Sequence, residues 1–399
     1  MQDVTFTERM SVSGEVNLIL ADDAHLEAQK GIEVNEGNKL VIWCQKRKRG
    51  SLTATAESFN AGIGSSSGDH ETGKIEINGG QIEAYGGKGS AGIGGGFKSS
   101  GGTITINGGS IYAEGRGYLV TDNDSNPLGS AGIGGGSNAG GGSVTINGGA
   151  ITATAKVNGP GIGSGGNGSM YITINGGTVN APGVNSGAGI GSWKHASGTI
   201  NIYGGTVNAT GGSSGGSGIG AGYTGNASGL QVNTYGGEVT ATGVSSGASG
   251  IGGGDESFGN GGEGANVSIY GGTVIANSEH TAIGHGGSDD VMGTLYIGDD
   301  MKVMAGNNGT NYERIFTAPE RAAACNYRNC ARIEKCDHPE NWYEYTVSYH
   351  EQRCTYCAKS LARCFTPLEK MASAVCVAMR SKPAICLRPI LWSFREISP

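Results

Sequence analysis

The chain has 399 residues, 78 of them Gly and only nine Pro, and a formal net charge of −7. Glycine at that level without a Gly-X-Y period argues against collagen and ordinary globular packing and leaves a repeat architecture. Residues 1–310 hold 14 Lys and Arg against 25 Asp and Glu, so this region is a poor electrostatic partner for nucleic acid, whose binding needs cations to neutralise phosphates.

In chain order, the first ten residues carry Asp3, Glu8 and Arg9 with no apolar core behind them, so no signal peptide is expected within the chain. No run approaches the roughly 18 apolar residues of a membrane span, and no Leu-Pro-x-Thr-Gly wall anchor occurs. Val16 to Ala28 echoes the repeat that follows, with Asp22-Asp23 at the turn, and reads as a polar terminal cap. Leu40-Val41-Ile42 and Leu52-Thr53-Ala54 read as strands of early coils. The basic run Lys46 to Arg49, closed by Gly50, reads as a solvated turn.

Seven segments then share the pattern apolar-x-apolar-x-Gly-Gly-x-apolar-x-Ala: Ile75 to Ala84, Ile104 to Ala113, Val144 to Ala153, Ile172 to Ala181, Ile200 to Ala209, Val232 to Ala241 and Val267 to Ala276. In the sixth, Thr234 replaces the second apolar residue. Between them recurs a small-Gly-Ile-Gly cassette centred on Ile63, Ile93, Ile133, Ile162, Ile190, Ile219, Ile251 and Ile283, at intervals of 30, 40, 29, 28, 29, 32 and 32 residues. Alternation in Ile104-Thr105-Ile106 is strand periodicity, Gly108-Gly109 turns the chain, Ile111-x-Ala113 makes a second strand, and Ala131-Gly132-Ile133 makes a third. Three short strands make one coil, and stacked coils at about 4.8 Å place like residue on like. The long interval is assigned to an outward loop at Gly117 to Leu128. Leu295 to Ala305, with Asp299-Asp300, reads as the closing cap, so the solenoid is expected from about Val12 to about Gly306.

Eight of the nine Cys lie between Cys325 and Cys386. Cys336, His338, His350, Cys354 and Cys357 have zinc-ligand spacing, with disulfide pairing the alternative. Thr366 to Glu369 resembles a capping box, so a short helix from Pro367 is open. The organisation expected is therefore all-β: a right-handed parallel β-helix of about 30 residues per coil over 1–310, a small Cys/His-rich module at 311–364, and an irregular or partly helical tail at 365–399.

Val12 to Leu20, Gly102 to Gly109 and Ser130 to Gly136 resemble glycine-rich β-helical surface proteins of Gram-positive gut bacteria. The resemblance implies an extracellular or cell-surface adhesin or carbohydrate-binding protein whose partner is a polysaccharide or a host or matrix glycan. No catalytic motif carries over, and the chain is expected to be a monomer and not an enzyme. A structural stalk or protein-binding adhesin, and a polysaccharide lyase or hydrolase, are the alternatives.

The residue before Gly-Gly is Asn78, Asn107, Asn147 and Asn175 in four copies and Tyr203, Tyr235 and Tyr270 in the next three. Such residues form ladders in a solenoid, and the tyrosines could equally serve as a strip against which sugar rings lie. Asp289, Asp290, Asp299 and Asp300, near His280 and His285, are candidates for calcium. The carboxylate pairs at the two caps, by contrast, are some 40–50 Å apart by coil count and cannot act together.

Overall fold

The computed structural model describes residues 3–336 apart from 48, 69–70, 119–127, 167, 224, 256–261, 288–292, 308–313, 317–324, 326–327 and 329. Within that range Arg314–Phe316 is described as backbone, as are Glu340–Thr346, Tyr349–Cys354, Ser360–Phe365, Cys376–Met379 and Lys382–Cys386 further on.

Each coil contributes one strand to each of three stacked sheets. In one coil Thr103–Ile106 lies in sheet I, Ser110–Arg116 in sheet II and Ile133–Gly134 in sheet III, before Gly142–Ile146 returns to sheet I. Sheets I and III each hold ten parallel strands, which makes a right-handed parallel β-helix of ten coils. Register is like on like: Ile104 pairs with Ile75 below and Val144 above, Ala113 with Ala84 and Ala153, and Ile133 with Ile93 and Ile162. Those side chains fill a continuous buried interior. A single coil has nothing to bury its Ile residues against, whereas a stacked one gains about 1.5–3 kcal/mol of gross burial from each. Thr234 is buried on the same inward register.

Glycine is imposed most strictly in sheet III. Gly134 has φ +132°, and a Cβ there would collide with the carbonyl oxygen of Gly163 on the next coil. The same left-handed conformation recurs up the column, so the strand is two or three residues of Ile-Gly and the corner is narrow.

The ends depart from the sequence expectation in two ways. The solenoid begins before Val12, because Val4–Phe6 pairs in parallel with His25–Ala28 and Met10–Ser11 with Ile32–Glu33. Polar residues masked this coil, and one of them closes it: the Arg9 guanidinium donates to the carbonyls of Lys30 (2.8 Å), Ala61 (3.0 Å) and Gly64 (3.2 Å). Burial pushes its pKa down to about 10 against the opposing charge of Glu33. At the other end Leu295–Ile297 stacks in parallel as expected, but Met301–Gly306 does not reach Thr273–Asn277. Cys330–Lys335 lies between them, antiparallel to both, with Ala331 opposite Ala276 and Ala305. Sheet II thus continues into the stretch read as the start of the Cys/His module. Ala331 and Ile333 are buried and Arg332 and Glu334 face outward, so this strand covers the edge that the last coil would otherwise expose.

The basic turn is a turn. The backbone amides of Arg47 and Arg49 donate to the Asp22 carboxylate, and Arg49 pairs with Asp23. Asp23 itself, at φ +62°, supplies the left-handed residue that Gly supplies in later coils. The insertion at Gly117 to Leu128 is bracketed by a bridge between Tyr118 and Leu128.

Candidate functional site

The column leaving sheet I at the Gly-Gly turn changes chemistry along the axis. Asn107 Nδ2 donates to Asn78 Oδ1 at 2.7 Å, Asn147 to Asn107 at 2.6 Å and Asn175 to Asn147 at 2.7 Å. Each amide therefore satisfies the next, as expected of a ladder. Above Asn175 the rings of Tyr203 and Tyr235 stack with centroids 4.7 Å apart and planes 6° apart, and Tyr235 and Tyr270 follow at 5.0 Å and 7°. The three tyrosines are 50%, 42% and 49% exposed.

The tyrosines form a continuous column, but one that does not present its ring faces. Near-parallel rings at these spacings cover one another's inner faces, so the column offers solvent a ribbon of ring edges and hydroxyls. Burial by the neighbouring rings, then the charges that Tyr203 and Tyr270 would carry, raise the pKa of Tyr235. Its hydroxyl therefore stays a hydrogen-bond donor well into alkaline solution.

A fourth ring, Tyr296, closes the stack at 5.3 Å from Tyr270 and tilted by 46°. Sequence reasoning missed it because it precedes Ile297-Gly298-Asp299, not Gly-Gly, and pairs with Ser268 instead of Tyr270. At the lower end Trp43 occupies the position beside Asn78, since Ile42 pairs with Ile77, and its indole donates to Asn17 at 2.9 Å. On the same sheet a depression of about 680 Å³ runs over Gly73, Gly102 and Gly142 to the exposed Tyr171.

A second cluster lies on the outer face of sheet II. Glu83 pairs in register with Tyr112 and Tyr85 with Glu114, a checkerboard of two acids and two phenols over adjacent coils. Tyr85 donates to Glu83 and Tyr112 to Glu114, each at 3.1 Å, and the two rings are 5.7 Å apart. Burial and then the hydrogen bond to Glu114 push the Tyr112 pKa up to about 12, and Tyr85 is raised for the same kinds of reason. The signal was present in sequence as Glu83-Ala84-Tyr85 against Tyr112-Ala113-Glu114, but it emerges only once the coils are aligned.

Only three of the nine residues expected to bind metal, Cys336, Asp299 and Asp300, have described side chains. Among the described residues no three His, Cys, Asp or Glu side chains are arranged to hold an ion. For calcium, Asp289 and Asp290 lie outside the described residues, while Asp299 and Asp300 form the turn before Met301–Gly306. His280 and His285 stand edge to face at 5.3 Å, and burial followed by His285 lowers the His280 pKa against the pull of Asp255. For zinc, Cys336 is buried where Cys330–Lys335 ends, and its amide donates to the Asp300 carbonyl at 2.7 Å. His350 and Cys354 lie on Tyr349–Cys354, whose backbone pairs them with Glu344 and Glu340, and His338 and Cys357 fall outside the described residues.

Six segments, 75–97, 104–137, 144–166, 172–192, 200–223 and 235–255, match a family model described as beta helix repeat. The chain is similar to parallel β-helix repeat proteins. No curated protein and no solved structure matches it. Among the described residues no helix is long and apolar enough to cross a membrane.

Proposed function

We propose that this chain is a non-catalytic binding solenoid of the cell exterior that takes a polysaccharide along the outer face of sheet I. The observation that carries the reading is the half-exposed tyrosine stack, repeating at 4.7 and 5.0 Å along the axis. Four coils below it close the same turn with asparagine, so the scaffold does not need an aromatic residue there. Replacing asparagine by tyrosine leaves apolar ring edges in water and adds a row of phenolic hydroxyls. That pairing of apolar edge and donor suits the CH surfaces and hydroxyls of a sugar chain.

The test is a screen of the full chain against soluble neutral polysaccharides beside a Tyr203→Asn/Tyr235→Asn/Tyr270→Asn variant, which extends the asparagine ladder. Binding by the parent that weakens at least tenfold in the variant supports the reading. No binding, or equal binding, leaves the stalk or protein-binding adhesin as the better account.

One observation favours a hydrolytic reading instead. Glu83 and Glu114 sit diagonally across adjacent strands on one outer face, about 8 Å apart at Cα, and a pair of carboxylates on one face is what glycoside hydrolysis needs. Release of reducing ends from a bound polymer, lost in Glu83→Gln, would displace the non-catalytic reading.

A further inference from the structure

The region of residues 1–310 is acidic by eleven charges and holds only 14 Lys and Arg, yet three of these cations stand in one column on consecutive coils. Lys88 pairs in register with Arg116, and Lys156 follows because Gly115 pairs with Ala155 and accepts the Lys156 amide at 2.7 Å. Lys88 reaches this register through a bulge. Between the pairs Tyr85–Glu114 and Lys88–Arg116, Gly86 and Gly87 oppose the single Gly115, and at both glycines a Cβ would strike the backbone. All three side chains are exposed, and none is in an ion pair among the described residues. Like charges about 4.8 Å apart repel, so an unpaired column of them is not there for stability.

Beside this column runs the checkerboard of Glu83, Tyr85, Tyr112 and Glu114. Arg116, Lys156, Tyr85, Tyr112 and Glu114 together line a depression of about 450 Å³. We infer that this face of sheet II is a second binding site, for an acidic polysaccharide bearing one carboxylate on each sugar. The cation column meets the carboxylates along one edge of the polymer, once per coil, and Glu83 and Glu114 accept hydrogen bonds from hydroxyls along the other edge. A polyphosphate such as single-stranded DNA offers the charge but no row of hydroxyl donors to meet the two glutamates. The polymer class rests on the polysaccharide reading above, but the residues are separate from the tyrosine column.

The experiment measures binding of the full chain to polygalacturonic acid by calorimetry at two salt concentrations. Its fully methyl-esterified form and oligo-deoxythymidylate serve as comparison ligands. The variant Lys88→Gln/Arg116→Gln/Lys156→Gln changes exposed side chains only, and circular dichroism and the melting temperature check that it folds. The inference requires that the parent bind the free acid at least tenfold tighter than the ester or the oligonucleotide, with affinity falling as salt rises. It also requires at least a tenfold loss in the triple variant. Retention of polygalacturonate binding in Tyr203→Asn/Tyr235→Asn/Tyr270→Asn assigns that binding to the cation column. Equal binding of the ester, equal binding of the oligonucleotide, or an unaffected triple variant overturns the inference, whatever the tyrosine variant does to neutral polymers.

Discussion

Two columns of the same solenoid obey different rules. In sheet III every coil from Gly64 to Gly284 places glycine at φ between +127° and +148°, and from Gly64 to Gly252 the carbonyl of the next coil fills the space a Cβ would need. In the column leaving sheet I, the backbone tolerates Trp43, four asparagines and three tyrosines in succession. The second glycine of the turn does relax, from φ 99–104° at Gly80, Gly109 and Gly149 to 81–87° from Gly177 onward. That change comes at the coil of Asn175, one coil before the first tyrosine, so turn geometry does not dictate the switch. Where sterics leave a column free, its chemistry is available for recognition, and that is where a functional reading belongs.

The comparison breaks most severely at Gly134. Gly134→Ala must hold alanine in a strained conformation and push away the Gly163 carbonyl, costing about 3 kcal/mol or more in a urea unfolding curve. A loss under about 1 kcal/mol would mean that the corner is not sterically fixed. Asn107→Ala comes next. It removes one hydrogen bond given to Asn78 and one received from Asn147, for about 1–2 kcal/mol in the same measurement. Asn107→Asp, which keeps the acceptor and loses the donor, should fall between the parent and the alanine variant.

A smaller effect on stability is expected at Tyr235, where Tyr235→Asn stays within about 1 kcal/mol of the parent because the turn accepts either residue. Its polymer affinity should nevertheless fall severalfold, since the stack is broken at its centre. A large stability loss with unchanged binding would reverse the roles and make the tyrosines structural.

The solenoid was legible because its interior repeats: Ile-x-Ile, Gly-Gly and Ile-Gly return at matched intervals, and each has one steric solution. The asparagine ladder and the insertion near Tyr118 were legible for the same reason. What was hidden lacks repetition or depends on alignment between coils. Val4–Phe6 and Met10–Ser11 are disguised by Arg9, a charge used as an interior plug. Cys330–Lys335 enters sheet II against the chain direction of every strand up to Thr273–Asn277, and so carries no repeat signature. The orientation of the tyrosine rings is a packing result, which periodicity cannot supply. Lys88 joins the cation column only through a bulge, which a simple residue count misplaces.

The mildest test separates the two faces by pH. Tyr112 is held protonated by burial and then by its hydrogen bond to Glu114, with a pKa near 12 against the ordinary 10. A raised folded pKa favours the protonated form, so its stabilising contribution is complete below pH 10 and is lost as the pH climbs from 10 towards 12. Ultraviolet titration should therefore show a late phenolate fraction, which Glu114→Gln moves to lower pH by removing the carboxylate that accepts the hydrogen bond. Because the tyrosine column on sheet I touches neither Glu83 nor Glu114, its own titration should not move. An unshifted late fraction in Glu114→Gln would mean that burial alone holds Tyr112, and the checkerboard would then be two independent pairs of neighbours instead of one coupled surface.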